Sequence, residues 1–226
     1  MNDNDKKLTA KGISRKRLYD GYFKLDQHVI ELDKHEGGKM QVKRLMLERG
    51  DSVAILAYDP RTDQVLMIEQ FSPGAFVSGD EAFGLTLPEG SLGKGEDIIA
   101  AARRELKEEA ALEAQALCVI HSGAYSSAGA SSERVALVLA VVDMHKAGGV
   151  HGAPGENEDI KSVVLDATAF IAQGEKSQLR DLISITAAFH LARSRPQLRK
   201  AFNNAVKGKK EQPAHSLRIK CNGLKR

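Results

Sequence analysis

No stretch of this chain approaches the roughly 18 consecutive apolar residues that a membrane-spanning helix needs. Its longest apolar run, Val135 to Val142, is the length of a strand. Residues Met1 to Lys11 are polar and hold no apolar centre of the kind a secretory leader carries, so none is expected. Cysteine is scarce. Cys118 and Cys221 stand far apart in very different settings, which argues against a disulfide and for a reducing cytoplasm. No internal repeat and no helix-turn-helix signal stands out. These absences set aside a membrane protein, a disulfide-stapled scaffold and a repeat array.

What is present is ordinary for a globular chain. Its 226 residues are 42% hydrophobic and 28% charged, enough to bury a real core. The net charge of +3 hides an uneven distribution, because Lys207 to Arg226 carry seven basic residues against one acid. That tail is about +6 and the body about −3. A basic extension of this kind is usually solvated, and neither nucleic acid nor a membrane is expected as its partner.

Hydrophobic alternation from about Ser14 to Glu48, turning at Glu36-Gly37-Gly38, predicts a small antiparallel β unit. Strands are predicted over 52–58 and 64–71, with Asp59-Pro60-Arg61-Thr62-Asp63 as the turn between them. A short strand over 83–87 leads into the loop at Gly90. Further strands are predicted over 117–120, 134–142 and 161–165, and the apolar 134–142 should be central in its sheet. Helices are predicted over 167–173 and 179–193, with Pro196 starting another. Hairpins mixed with crossovers imply an α/β fold, a mixed sheet between helices. The expected organisation is an N-terminal β unit over 1–50, a main domain over 51–206 and a basic tail over 207–226.

The chain is organised around Pro88 to Leu112. A loop with Gly90, Gly93 and Gly95 leads to Glu96 and Asp97, carboxylates placed where a helix begins and its dipole favours negative charge. At about 100° per residue, Ile98, Ile99, Ala102, Leu106 and Ala110 share an inward side. Glu105, Glu108 and Glu109 lie beside that stripe within an arc of roughly 100°. Three acids so placed repel one another, and more strongly where they edge a core. A positive charge is therefore expected among them, and a hard divalent cation with oxygen ligands suits it. A Glu-rich helix face alone is usually solvated surface; the ordered whole around it is what points to a site.

Gly90, Glu96 six positions on, Arg104-Glu105 eight further, Leu106, Glu108-Glu109 and Leu112 together resemble the Nudix box, Gly-x5-Glu-x7-Arg-Glu-apolar-x-Glu-Glu-x-Gly-apolar. One position departs, Ala111 where the family carries glycine. A glycine just past a helix usually adopts a left-handed conformation that costs a residue with a Cβ about 1 kcal/mol. The helix here is therefore expected to end differently, about a residue later, with the acids upstream untouched.

The resemblance implies a Nudix-type α/β/α sandwich that hydrolyses a nucleoside diphosphate linked to another moiety, using Mg²⁺ or Mn²⁺. Carried over residue by residue, it implies Glu105 and Glu109 as metal ligands, with Glu89 through its carbonyl and Glu108 as a secondary ligand. Glu96 and Arg104 match the pair that ties loop to helix, and Arg104 also stands with the catalytic set. Beyond the box, Tyr19-Asp-Gly-Tyr-Phe, Val42-Lys-Arg, Glu48-Arg-Gly, Asp59-Pro-Arg, Glu69-Gln70, Ser131-Ser-Glu-Arg and Glu156-Asn-Glu-Asp resemble the ADP-ribose pyrophosphatase branch. That branch places its catalytic base at Glu156, with Glu158 as the rival. It implies a homodimer with swapped N-terminal strands, an adenine sandwiched by Tyr22 and Arg44, and pocket positions at Ser127 and Glu133. Two departures keep GDP-mannose or another nucleotide sugar in competition. Ser72 stands where the branch has a pocket arginine, and Ser127-Ala128-Gly129-Ala130 replaces its Ser-Pro-Gly-Gly turn. A nucleotide-binding module without catalysis is the third alternative, weakened by the presence of all three box glutamates.

Overall fold

The computed structural model describes residues 7–152, 155 and 157–208. They form two compact units, one built on the first three strands together with Tyr125–Arg134, the other on the remainder. In the larger unit an eight-stranded sheet has the order β10(Val150–His151), β11(Ile160–Asp166), β5(Gln64–Phe71), β4(Ser52–Asp59), β9(Arg134–Val141), β8(Ala116–Tyr125). β6(Phe83–Thr86) pairs with β5, and β7(Glu89–Ser91) pairs with β4. The apolar β9 lies parallel to β4, from Ser52 opposite Val135 to Tyr58 opposite Val141. Both strands are buried on both faces, as near-continuous apolar runs require.

Alternation along these strands sends side chains to two cores. Val53, Ile55 and Ala57 meet Ala101, Ala102, Leu106, Ala110 and Leu112, where α2(Ile98–Ala110) lies. Ala54, Leu56 and Tyr58 meet Phe170, Ala187, Ala188 and Leu191 of α3(Ala167–Glu175) and α4(Leu182–Gly208) on the opposite face. The result is helix, mixed sheet, helix, as the sequence pattern implies. Asp63, in the β4–β5 turn, accepts from the Tyr58 hydroxyl and is gripped by Arg195 and Arg199 of α4. Burial, then the Asp63 hydrogen bond, raises the Tyr58 hydroxyl well above the usual phenol range.

The smaller unit carries an antiparallel sheet of β1(Ala10–Asp20), β2(Lys24–Asp33) and β3(Lys39–Glu48). Asp26, fully buried at its middle, pairs with Arg15 and Arg17 of β1. The Arg17 hydrogen bond, aided by Arg15, holds this carboxyl down at about 2. Residues 125–134 join the unit through hydrogen bonds from Leu47 N–H to Ala130 O (2.8 Å) and from Ser132 N–H to Leu47 O (3.1 Å).

Several expectations are corrected. The stretch after Ser72, where no element is predicted, forms a short helix, α1(Pro73–Ser78), with the Ser72 hydroxyl capping the Ala75 N–H. Residue 196 does not start a new helix. α4 runs through Pro196 because Leu198 and Phe202 continue its buried stripe and the two arginines fasten it to Asp63. α2 does not end a residue late: Ala111 itself takes the left-handed conformation (φ 51°, ψ 27°), and its N–H is shared between the carbonyls of Leu106 and Lys107. Leu112, buried beyond it, donates to Leu106 O at 3.3 Å, so burial of the next residue holds the cap in place. Cys118 carries a disulfide rather than a free thiol, against the expectation of unpaired cysteines; Cys221 lies outside the described residues. The basic tail lies outside them too, except Lys207 and Gly208. No helix among the described residues is long and apolar enough to cross a membrane.

Candidate active site

β7 fixes the start of the site. It pairs with the first residues of β4, Val53 opposite Gly90 and Ala54 opposite Glu89, while Pro88 O accepts from Ile55 N–H at 2.8 Å. The loop then returns into α2, whose N-cap is Asp97; its Oδ1 accepts from Ile99 N–H (2.9 Å) and Ala100 N–H (3.2 Å). Glu96 grips Arg104 with both oxygens at 3.1 Å and accepts from Gly93 N–H at 2.8 Å. Arg104 also donates to Ser91 O at 3.0 Å. This is the fastening of loop to helix that the sequence implies.

Arg104 does more than fasten. Its Nη1 donates to Glu105 Oε1 at 2.6 Å and to Glu108 Oε2 at 3.2 Å. The positive charge expected among the helix acids is thus, in part, a guanidinium. Glu105 is 7% exposed, and its carboxyl fills the space over Gly90, where a Cβ would lie 1.9 Å from Cδ. The glycine at this position is required for room, not for an unusual backbone angle.

Glu109 is the most buried of these acids, at 3% exposure, and accepts from Glu89 N–H at 2.9 Å. Burial drives its carboxyl up to about 9, against the Glu89 hydrogen bond and with the charges of Glu105, Glu158 and Glu89 adding to the rise. Glu89, Glu105, Glu108, Glu109 and Glu158 offer oxygen donors only, which suits a hard divalent cation. The charge crowding at Glu109 fits the same ion. Among the described residues, the trio whose ligand atoms all lie within 4.8 Å of one another is elsewhere: Asp26, His28 and Glu48. Asp26 there already holds Arg15 and Arg17, which repel a second cation.

Glu156 lies outside the described residues. Glu158 is described, and its charge reaches Glu109. Gly152 (φ 143°) packs against it, since a Cβ there would lie 2.7 Å from Glu158 O. In the smaller unit, Tyr22 stands at the β1–β2 connection, 87% exposed, with its ring 4.9 Å from that of Phe23. Arg44 sits opposite His28. Arg44 is likewise exposed.

Ser127 begins a turn whose carbonyl accepts from Ala130 N–H (3.0 Å) and Ser131 N–H (2.8 Å). Gly129 and Ala130 both avoid the left-handed region, so alanine is tolerated where the branch has glycine. Glu133, 6% exposed, accepts from Ser126 Oγ at 2.9 Å and pairs with Arg49 Nε at 3.4 Å. Arg49 Cζ lies 5.4 Å from the centre of the Phe23 ring. Neither Arg49 nor Ser126 was singled out from the sequence. The Glu48-Arg-Gly stretch was the available signal, but nothing local in it says which acid the arginine meets.

Comparison with known proteins agrees with this geometry. Residues 48–182 match the NUDIX domain. The chain is 32% identical over 176 residues to the ADP-ribose pyrophosphatase of Escherichia coli O6:H1, covering 77% of this chain and 84% of that protein. It is 28% identical over 170 residues to the GDP-mannose pyrophosphatase of Citrobacter koseri, covering 75% and 87%. A crystal structure of an ADP compounds hydrolase superposes with a TM-score of 0.63 at 19% identity, over 84% of this chain and 96% of that one, which shows a shared fold. With the NUDIX domain spanning more than half its length and the box glutamates set against the β7 loop, the chain belongs to the Nudix family.

Proposed function

We propose that the chain hydrolyses the pyrophosphate bond of ADP-ribose, giving AMP and ribose 5-phosphate, or that of a closely related nucleoside diphosphate sugar. The observation that carries this reading is Glu109, an acid almost wholly buried within reach of the charges of Glu105, Glu158 and Glu89. At neutral pH such a group is ionised only when a cation sits beside it. Glu105, Glu109, the Glu89 carbonyl and secondarily Glu108 would hold Mg²⁺ or Mn²⁺, which would neutralise the pyrophosphate and activate water when bound. Arg104 keeps Glu105 and Glu108 oriented while anchoring the loop. Glu156, or Glu158 in its place, takes the proton of the attacking water. Glu133 accepts from substrate hydroxyls, and Ser127 lies in the turn beside it.

The residues up to about 50 serve dimerisation, and two chains together form the base-binding site. The exposure of both Tyr22 and Arg44 on the smaller unit supports this, because aromatic and guanidinium groups that stack on a base must be accessible. GDP-mannose is the second reading, favoured by Ser72, which caps α1 where the ADP-ribose branch has an arginine. The test is incubation with Mg²⁺ and a panel of ADP-sugars, GDP-sugars and dinucleotides, with products identified by phosphorus NMR. Release of AMP from ADP-ribose supports the first reading, and preferential release of GMP from GDP-mannose the second. No cleavage of any member sinks both.

A further inference from the structure

We infer that Gly152 and His151 are positioning residues for Glu158, holding its carboxylate toward the helix that carries Glu109; this rests on the hydrolase reading above. All the groups involved lie in the larger unit. Gly152 is a glycine for two reasons. Its φ of 143° is one that a residue with a Cβ rarely adopts. A Cβ there would also stand 2.7 Å from the Glu158 carbonyl oxygen and 2.9 Å from the Glu158 Cβ. What lies in the way is backbone and the root of a side chain, neither of which can swing aside. A larger residue at 152 therefore moves Glu158 as a whole. That matters for the site, because β10 and β11 both lie against α2, which carries Glu105 and Glu109. The charge of Glu158 is among those felt by Glu109.

The chain entering Gly152 is fastened from its other side. Val150 pairs with Lys161, and His151 with the fully buried Ile160. Gly149 O accepts from Ser162 N–H at 3.0 Å. The His151 ring turns back so that Nε2 lies 2.7 Å from Gly148 O. A carbonyl oxygen only accepts, so Nε2 carries the proton and donates it. Gly149 (φ 94°) leaves the ring its place, since a Cβ there would lie 3.3 Å from Nε2. β10 is only two residues long, so this side-chain bond closes a turn that strand pairing alone holds weakly. Alternation along β11 gives the direction. Val164 packs with the core on the α2 side, Ser162 and Ile160 face that side too, and Glu158 precedes Ile160 by two positions. Residues that only stabilised this edge of the sheet would cost stability and leave turnover of the folded chain alone. A positioning role predicts a loss of kcat that exists only while residue 158 carries a carboxylate.

The experiment measures kcat and KM in the full chain with Mg²⁺, for whichever of ADP-ribose and GDP-mannose the wild type cleaves faster, beside the urea midpoint of each variant. Glu158→Gln should lower kcat roughly 100-fold. Gly152→Ala should lower it roughly 10- to 100-fold, the scale of a reacting group displaced by about 1 Å, with KM within about twofold. In the Glu158→Gln background Gly152→Ala should cost little more, because both changes remove one interaction. His151→Ala should lower kcat about three- to tenfold, the scale of one neutral hydrogen bond. His151→Gln, whose amide nitrogen reaches about as far as Nε2, should recover most of that loss, and the shorter His151→Asn should not. If urea curves show Gly152→Ala unfolded, the His151 variants crossed with Glu158→Gln decide in its place. Unchanged kcat in Glu158→Gln, losses that multiply in the double variants, or equal kcat across the three His151 variants overturns the inference and leaves the hydrolase reading standing. A wild-type chain that cleaves neither compound removes the hydrolase reading, and this inference falls with it.

Discussion

Replacing Ala111 by glycine should stabilise the protein. Ala111 closes α2 with φ 51° and ψ 27°, the left-handed region, and its methyl group is exposed. A residue with a Cβ pays roughly 1–2 kcal/mol to adopt that conformation. Glycine avoids this, but its greater freedom in the unfolded chain takes back about 0.4–1 kcal/mol. Because the methyl is exposed, its removal opens no cavity. The net expectation is about 0.5–1 kcal/mol in favour of Ala111→Gly. For a chain of this length that is roughly 1–4 °C in Tm. In urea the unfolding midpoint should rise by about 0.2–0.3 M with the slope unchanged, taking a slope of roughly 3 kcal/mol per M. The box acids lie upstream of the cap, so hydrolysis rates should be unaltered. Ala111→Val, which places a branched Cβ in the same conformation, should move the midpoint the other way. Equal or lower stability for the glycine variant would refute the reasoning, since the strained cap would then not exist.

Glu109 should give the protein a pH-dependent weakness that metal removes. Its carboxyl, raised from 4.5 to about 9 by burial first and neighbouring acids second, holds its proton more tightly folded than unfolded. That stabilisation is complete below pH 4.5 and is lost as pH rises toward 9; by pH 7 the loss is about 3 kcal/mol, from about 2.5 pH units at 1.36 kcal/mol each. In EDTA, urea midpoints of the wild type should fall between pH 5 and pH 8, those of Glu109→Gln should fall much less, and Mg²⁺ should rescue the wild type alone. Parallel pH curves for the two proteins would count against this. Gly90→Ala should leave the circular dichroism spectrum intact but cut Mg²⁺-dependent turnover roughly 10- to 100-fold, because the new Cβ displaces the Glu105 carboxyl rather than backbone; wild-type turnover would show the acid has another place to go. Asp26, held at about 2 chiefly by Arg17, lends the three-stranded sheet stability that is present above about pH 4 and lost as pH falls through 2. Amide exchange in β1–β3 should therefore accelerate below pH 3 in the wild type, and in Asp26→Asn already at pH 6; equal protection in both at pH 6 would argue that the buried pair contributes nothing.

Much of the fold was legible because its signals are local and periodic. The apolar run at 134–141 was buried as its composition required, though one strand in from the sheet's edge rather than at its centre, and the 64–71 strand fell where the turn at Asp59–Asp63 placed it. The box was legible as an order of residues, and the order survived in space as the Glu96–Arg104 clasp and the Gly90–Glu105 contact. What escaped depended on partners distant in sequence. Pro196 reads locally as a break, yet the buried Leu198 and Phe202 and the grip on Asp63 carry the helix through it. Ala111 reads as a poor cap, yet burial of Leu112 decides the matter. Arg49 shows the same limit: its meaning comes from Phe23, 26 positions earlier, and Glu133, 84 positions later.

The grip on Asp63 has a consequence for synthesis. The turn that carries this acid leaves the ribosome more than a hundred residues ahead of Arg195 and Arg199, the cations that match it. Until they emerge, the β4–β5 hairpin holds an acid and a tyrosine hydroxyl that cannot be buried at low cost. The larger unit therefore cannot seal that face while the chain is still growing, and closure waits for the last described helix, a late step in which a stalled or shortened product would be marked by an open, chargeable seam.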